Sequence, residues 1–366
     1  MDAMAIGSPR ELATISSHRV VVLLVAVASA PAEPERILGS SRAAATVGLL
    51  PKLISLTMWG KKSLPPAPPP SKLPPFEQLY IFAAIAAILV ALLSIQRRRA
   101  PGRWLPSKGE KREYEVWALK YSVVWMGSFA AIIAFQLYEA FDALTYFVVC
   151  GGLALPLVLQ PFIARGPAGK KAKSVVAQHA VRAQLWIALF GFVGNYWYTH
   201  YFYCVLRAIY TMPAWRLNGV PIAMFFATHF YFSSYHVLAN LVLRKARTAH
   251  APGWRRAALT VALIGAMSYT TAFMETLTIS NFPYYDFENR DMAYTVGSAF
   301  YGLYFIVSFP VYHALDEPDL RGPASLADVA FSSLGSAMAV LLLLDVSRLL
   351  LDVPLTIGGT LWEVTG

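Results

Sequence analysis

The chain has little charge. Asp, Glu, Lys and Arg make up 14% of its 366 residues, where a soluble domain carries about a quarter. With 57% hydrophobic residues and a mean hydropathy of +0.49, that shortage argues against an ordinary water-soluble domain and points to lipid. Cysteine is nearly absent. Cys150 and Cys204 both fall in apolar stretches, which excludes a disulfide framework or a CxxC metal pattern and leaves two small buried hydrophobes. HExxH and the clustered histidines of membrane desaturases are missing, so no metal is expected. A GxGxxG opening a strand-to-helix turn, a P-loop and a GxSxG elbow are missing too, which removes the usual parts of an oxidoreductase or hydrolase. No internal repeat is evident, against transporter plans built from two related halves. Acids are also scarce, and the net charge is +10. The basic residues sit in short clusters between apolar runs, as in cytoplasmic loops, so no nucleic-acid partner is expected.

What the chain has is long apolar runs. A helix needs roughly 20 apolar residues to cross about 30 Å of hydrocarbon. Runs of that kind predict spans at 76–96, 117–137, 143–163, 183–203, 220–242, 257–279, 294–314 and 328–350, with kinks or early ends at Pro156 and Pro310. The run "VVVLLVAVASA" (20–30) is too short to span and resembles the h-region of a targeting peptide. Residues 1–60 contain Ala, Ser and Arg and are poor in acids, and "KKSLPPAPPPSKLPP" (61–75) reads as a polyproline spacer. The expected organisation is a disordered or targeting extension (1–75), an extra span (76–96), a seven-span membrane domain (113–352) and a short tail (353–366). The fold class is all-α, a polytopic membrane helix bundle of seven core spans plus one extra N-terminal span.

Loop charge sets the expected orientation. The basic loops 97–112, 165–173 and 244–256 alternate with the acidic segments 138–142 and 281–291, which places the basic side in the cytosol. Loop 207–219 carries two arginines and loop 315–325 is net acidic, both against the pattern.

Polar and ionisable groups inside spans are unfavourable, so each is a candidate for function. His229, Ser233, His236 and Asn240 share one face of the fifth span, and Ser268, Thr271, Glu275 and Thr278 one face of the sixth. In the fourth, Asn195, Tyr198 and Phe202 share a face, with Trp197 and His200 on another. A cavity lined by these three helices is expected. Structural readings stand beside the functional ones. Glu275 pairs with Arg207 or Arg348, Asp345 and Arg348 satisfy each other, the histidines bond between helices, and the tyrosines form an interfacial belt.

The segments "GNYWYTHYFYCVLRAIYTMPAWRLNGVP" (194–221), "THFYFSSYHVLANLVLR" (228–244), "ETLTISNFPYYDF" (275–287) and "FYGLYFIVSFP" (300–310) closely resemble the cycloeucalenol cycloisomerase family of plant and algal sterol biosynthesis, over residues 113–352. The N-terminal extension and its span lie outside the family pattern. The resemblance implies an intramolecular isomerase that opens the 9β,19-cyclopropane ring of cycloeucalenol to give obtusifoliol. It implies no cofactor, a sterol substrate, contact with membrane lipid, and a multi-pass place in the endoplasmic reticulum membrane; the extension leaves plastid targeting open.

Residue roles come from the chemistry instead. Opening the ring needs an undissociated acid, a surface that tolerates a cation, and a base. A carboxyl group in an apolar cavity stays protonated because burial disfavours its charged form. An imidazolium serves if a carboxylate supports it. Glu275 is the first candidate acid, relayed by His229 or His200. Tyr196, Trp197, Tyr198 and Tyr201 offer ring faces to the cation, worth about 2 kcal/mol when desolvated. Asn195 and Thr199 anchor the sterol's 3-hydroxyl, or satisfy backbone groups exposed at Gly191 and Gly194. His236, Asn281 and Tyr285 complete the candidate substrate-binding set. Two rival readings are a non-catalytic sterol- or lipid-binding membrane protein and an isomerase that shifts a sterol double bond.

Overall fold

In the computed structural model of the chain, the residues described are 73–279, 282–288, 290–318, 320, 322–355 and 362–365. Residues 1–72 of the expected extension, and Asn281, lie outside the described residues.

The apolar runs form long helices: α1 (Glu77–Ser94), α2 (Glu110–Ala134), α3 (Ala143–Ile163), α4 (His179–Val193), α5 (Ile222–Ala249), α6 (Trp254–Ile279), α7 (Ser298–Ala314) and α8 (Leu326–Leu350). Among the described residues, six helices are long and apolar enough to cross a membrane; they start at Glu77, Glu110, Ala143, Trp254, Arg290 and Leu326. The chain is thus a polytopic helical membrane bundle. Buried Trp186, Phe190, Phe232, Phe305, Phe309 and Tyr312 fill its centre, where α4 meets α5, α7 and α8. Pro156 and Pro310 lie inside continuous helices. Beside the first, Tyr121 of α2 donates to the Leu153 carbonyl at 2.7 Å, the kind of neighbouring hydroxyl that lets a spanning helix accept proline.

Two helices depart from regular winding. Beyond Val193, α4 continues as a π turn (Gly194–Tyr198), a single α turn (Thr199–Tyr201) and a second π turn (Phe202–Leu206). A third π turn, Ala293–Gly297, leads into α7. The wider winding frees backbone carbonyls, and Asn195 Nδ2 donates to the Gly191 carbonyl at 2.8 Å. A Cβ on Gly297 would stand 3.3 Å from the Leu206 side chain and from the Met292 carbonyl. A side chain there would force its neighbours to give by a few tenths of an ångström, so glycine suits the close approach of the two π-wound segments.

Short strands close the same end. β1 (Ala208–Tyr210) pairs antiparallel with β4 (Tyr285–Phe287), placing Tyr210 opposite Tyr285. β2 (Ala214–Leu217) pairs with β3 (Val220–Pro221) and with β5 (Trp362–Thr365), which is drawn from the segment read as a tail.

Charge gathers at the other end. Arg244 of α5 bonds Glu115 and Glu317, both at 2.8 Å, while Lys111 and Arg247 reach Glu317 at 3.1 and 2.7 Å. Asp316 takes Arg182 Nε at 2.6 Å and His179 Nδ1 at 2.7 Å. Asp316 and Glu317, two of the acids that set loop 315–325 against the charge rule, are therefore consumed inside the protein. Although burial works against its charged form, hydrogen bonding from Arg244 and the nearby Lys111 charge hold the Glu317 carboxyl down at about 2. Asp316 is likewise held well below the usual carboxylate range, burial being outweighed by His179, the Ala324 N–H and Arg182.

Candidate active site

At the strand-capped end, the irregular part of α4 opens a cleft. Its walls are Gly194, Asn195, Thr199 and Phe202 of the π-wound segment, Met224, Thr228 and Phe232 of α5, Glu275 and Thr276 of α6, and Tyr301 and Tyr304 of α7. Tyr210 of β1 with Tyr285 and Phe287 of β4 close it. The empty space, counting the part at the open mouth, is about 530 Å³. Three walls come from the expected helices; α7 and the two strands supply the rest.

Seven aromatic rings line the cleft against one carboxyl group. Tyr301 donates its hydroxyl to Glu275 Oε2 at 2.8 Å, and the Tyr235 hydroxyl is bonded to the same carboxyl. Among the described residues Glu275 enters no ion pair. The two arginines considered for it are engaged elsewhere: Arg207 lies 3.9 Å from Glu288, and Arg348 pairs with Asp345 at 2.6 Å. Tyr301 and Tyr304 meet edge to face at 4.8 Å, and Phe202 meets Tyr301 the same way at 5.1 Å. Tyr210 stacks on Tyr285 at 4.3 Å. Burial pushes both of these strand hydroxyls above the ordinary phenol range, so they stay protonated.

The structure brings Asn195, Thr199, Glu275 and Tyr285 together at this cleft. Asn195 is tied down, bonding the Gly191 carbonyl and accepting from Thr228 Oγ1 at 3.3 Å. The other sequence-derived candidates do not line it. Tyr198 is fully buried one layer out, its hydroxyl on the Ala337 carbonyl at 2.8 Å and its ring 4.7 Å from Tyr304. Tyr201 donates to Asp345 at 3.3 Å. Tyr196 stacks on Phe192, and Trp197 is 40% exposed. His200 is buried and bonded to Asn218. His229 is buried with its Nε2 unpartnered. His236 is held on both nitrogens: Nδ1 donates to the Phe232 carbonyl at 2.7 Å, and Nε2 lies 2.9 Å from Ser308 Oγ. Among the described residues no three His, Cys, Asp or Glu side chains group as metal ligands.

Tyr210, Phe232, Phe287, Tyr301 and Tyr304 escaped the sequence reading, which weighed ionisable groups above aromatic ones. A signal was available in α7, where Tyr301 and Tyr304 stand three apart on one helical face.

A carboxyl ringed by phenols and phenyl rings, inside a helical membrane bundle, is an arrangement able to carry acid–base chemistry. Comparison with known proteins gives the family. Over 264 residues the chain is 40% identical to a protein of Arabidopsis thaliana named cycloeucalenol cycloisomerase, a match covering 71% of this chain and 94% of that protein. The chain belongs to the cycloeucalenol cycloisomerase family and is an isomerase. No family model matches it, and no solved structure does.

Proposed function

We propose that this enzyme opens the 9β,19-cyclopropane ring of cycloeucalenol to give obtusifoliol, with Glu275 as the proton donor, in the endoplasmic reticulum membrane. The substrate and the membrane rest on the family. The donor rests on one observation: Glu275 is the acidic side chain in the wall of the cleft, and its hydrogen-bond partners are neutral phenols.

The steps balance without an oxidant or reductant. The Glu275 carboxyl gives its proton to the ring methylene as the carbon–carbon bond to the adjacent ring-fusion carbon breaks. The methylene becomes a methyl group and the tertiary carbon becomes a cation. Loss of a proton from a neighbouring carbon then leaves the nuclear double bond. The Glu275 carboxylate left by the first step is placed to take that proton, so one residue serves as acid and then base. Tyr301 holds Oε2 and stabilises the carboxylate while the charge exists. The rings of Phe202, Tyr301 and Tyr304 face the developing cation. Thr199 offers its hydroxyl to the sterol's 3-hydroxyl. His200 and His229, off the cleft wall, are not needed as relays.

The test is conversion of cycloeucalenol by membranes carrying the full chain, with products identified by mass spectrometry. Wild type is expected to yield obtusifoliol and E275Q to lose at least about 100-fold of the rate. Undiminished turnover by E275Q would overturn the assignment. Binding without conversion would favour a lipid-binding protein, and conversion only of sterols lacking the three-membered ring would favour a double-bond isomerase.

A further inference from the structure

A second recess lies in the basic loops and shares no residue with the cleft. It is lined by Gln96, Arg97, Ala251, Pro252, Gly253, Trp254 and Arg255. Backbone hydrogen bonds hold its two sides together. The Arg99 N–H donates to the Ala249 carbonyl at 2.8 Å, the Ala251 N–H donates to the Arg97 carbonyl at 2.9 Å, and Arg98 bridges His250. Gln96 adds a side-chain tie, its amide donating to the Arg255 carbonyl at 3.0 Å. Two arginines from distant parts of the chain are thereby fixed on either side of one opening.

Among the described residues neither is paired with an acid. Neither 97–109 nor 244–256 contains an acidic residue, and the buried acid Glu317 is already taken by Lys111, Arg244 and Arg247. Arg255 lies over the Trp254 ring, 5.6 Å from its centroid. Arg97 enters no ion pair or side-chain hydrogen bond among the described residues. Arg97 comes three residues after α1 ends at Ser94, and Trp254 begins α6. The recess therefore sits where two membrane-crossing helices leave hydrocarbon, the depth of lipid phosphate. Trp254, 69% exposed, is the residue type favoured at that depth. Basic pockets at such positions select phosphate-bearing headgroups.

We propose that the recess between Arg97 and Arg255 binds the phosphate of an anionic glycerophospholipid headgroup, a lipid site apart from the catalytic cleft. Phosphate is the chemistry recognised, and the headgroup is its source.

The experiment uses the full chain in phosphatidylcholine nanodiscs, comparing the immobilised fraction of spin-labelled phosphatidic acid with that of spin-labelled phosphatidylcholine. Wild type is expected to prefer phosphatidic acid, each arginine contributing about fivefold. R97Q/R255Q should bring the preference close to one, while K171Q/K173Q, with the same loss of charge on exposed lysines, should keep it. Equal loss in both double variants would reduce the effect to diffuse basic charge and overturn the site. No preference in wild type would overturn it as well. Displacement of the labelled lipid by millimolar inorganic phosphate at matched ionic strength would assign the recess to soluble phosphate and overturn the lipid.

Discussion

Glu317 and Glu275 are glutamates near opposite ends of one bundle, and their neighbours could hardly differ more. Glu317 touches Arg244, Arg247 and Lys111, all within 3.1 Å. Glu275 touches tyrosine hydroxyls and ring edges. An opposite charge nearby favours the ionised form, so Glu317 is an anion locked into the scaffold and has no proton to give. No such charge holds Glu275 ionised. Within one membrane protein, cations turn one acid into structure, and their absence leaves the other available for chemistry. The local backbone follows the same division. Around Glu317 the helices are regular, whereas the cleft of Glu275 is bordered by π-wound segments, a winding frequent at functional sites.

The contrast can be broken from either side. The largest effect is expected from E275Q, which keeps the shape and removes the acid: turnover should fall by about 10²–10⁴ with no shift in the thermal midpoint. A matching fall in stability would mean that Glu275 is scaffold too. E317A should do the reverse. It leaves buried Arg244 with Glu115 alone and takes the carboxylate from buried Lys111, at a loss of about 3–5 kcal/mol in denaturant unfolding, while turnover per folded molecule stays near wild type. Next comes Y301F, which removes the hydroxyl on Oε2; kcat/KM should drop about tenfold, the size of one charge-assisted hydrogen bond, while KM changes little.

The smallest effect is a slope with pH. Glu317 and Asp316 have folded pKa values below their unfolded ones, so their stabilisation is complete above the unfolded value of roughly 4. It should drain away as pH falls toward about 2, the folded value of Glu317. Unfolding midpoints in detergent should therefore decline across that window, and E317Q should flatten the decline.

Much of the scaffold could be read from apolar runs. The run at 143–163 coincides with α3 (Ala143–Ile163), and the one at 328–350 nearly with α8. α5 runs on to Ala249, past the expected 242, because Arg244 is neutralised by glutamates inside the protein, a compensation hydropathy cannot see. The cleft was half legible. Glu275 stood out as an acid inside a span. Regular 3.6-residue winding put Tyr198 beside Asn195 and Phe202; the π turn adds a residue, so Thr199 takes the cleft position and Tyr198 turns toward α8. The strands were illegible because each is four residues or fewer and, apart from β2 and β3 joined at Asn218–Gly219, the paired strands lie far apart along the chain.

Proton transfer from Glu275 to the ring methylene is tested most directly by converting cycloeucalenol in deuterated water, with wild type and E275Q at equal amounts of folded protein. With Glu275 exchanging with the deuterated solvent through the open mouth of the cleft between turnovers, wild type is expected to place one deuterium in the newly formed methyl group, and E275Q to form almost no new methyl. A glutamine variant that forms the deuterated methyl at the wild-type rate would contradict it.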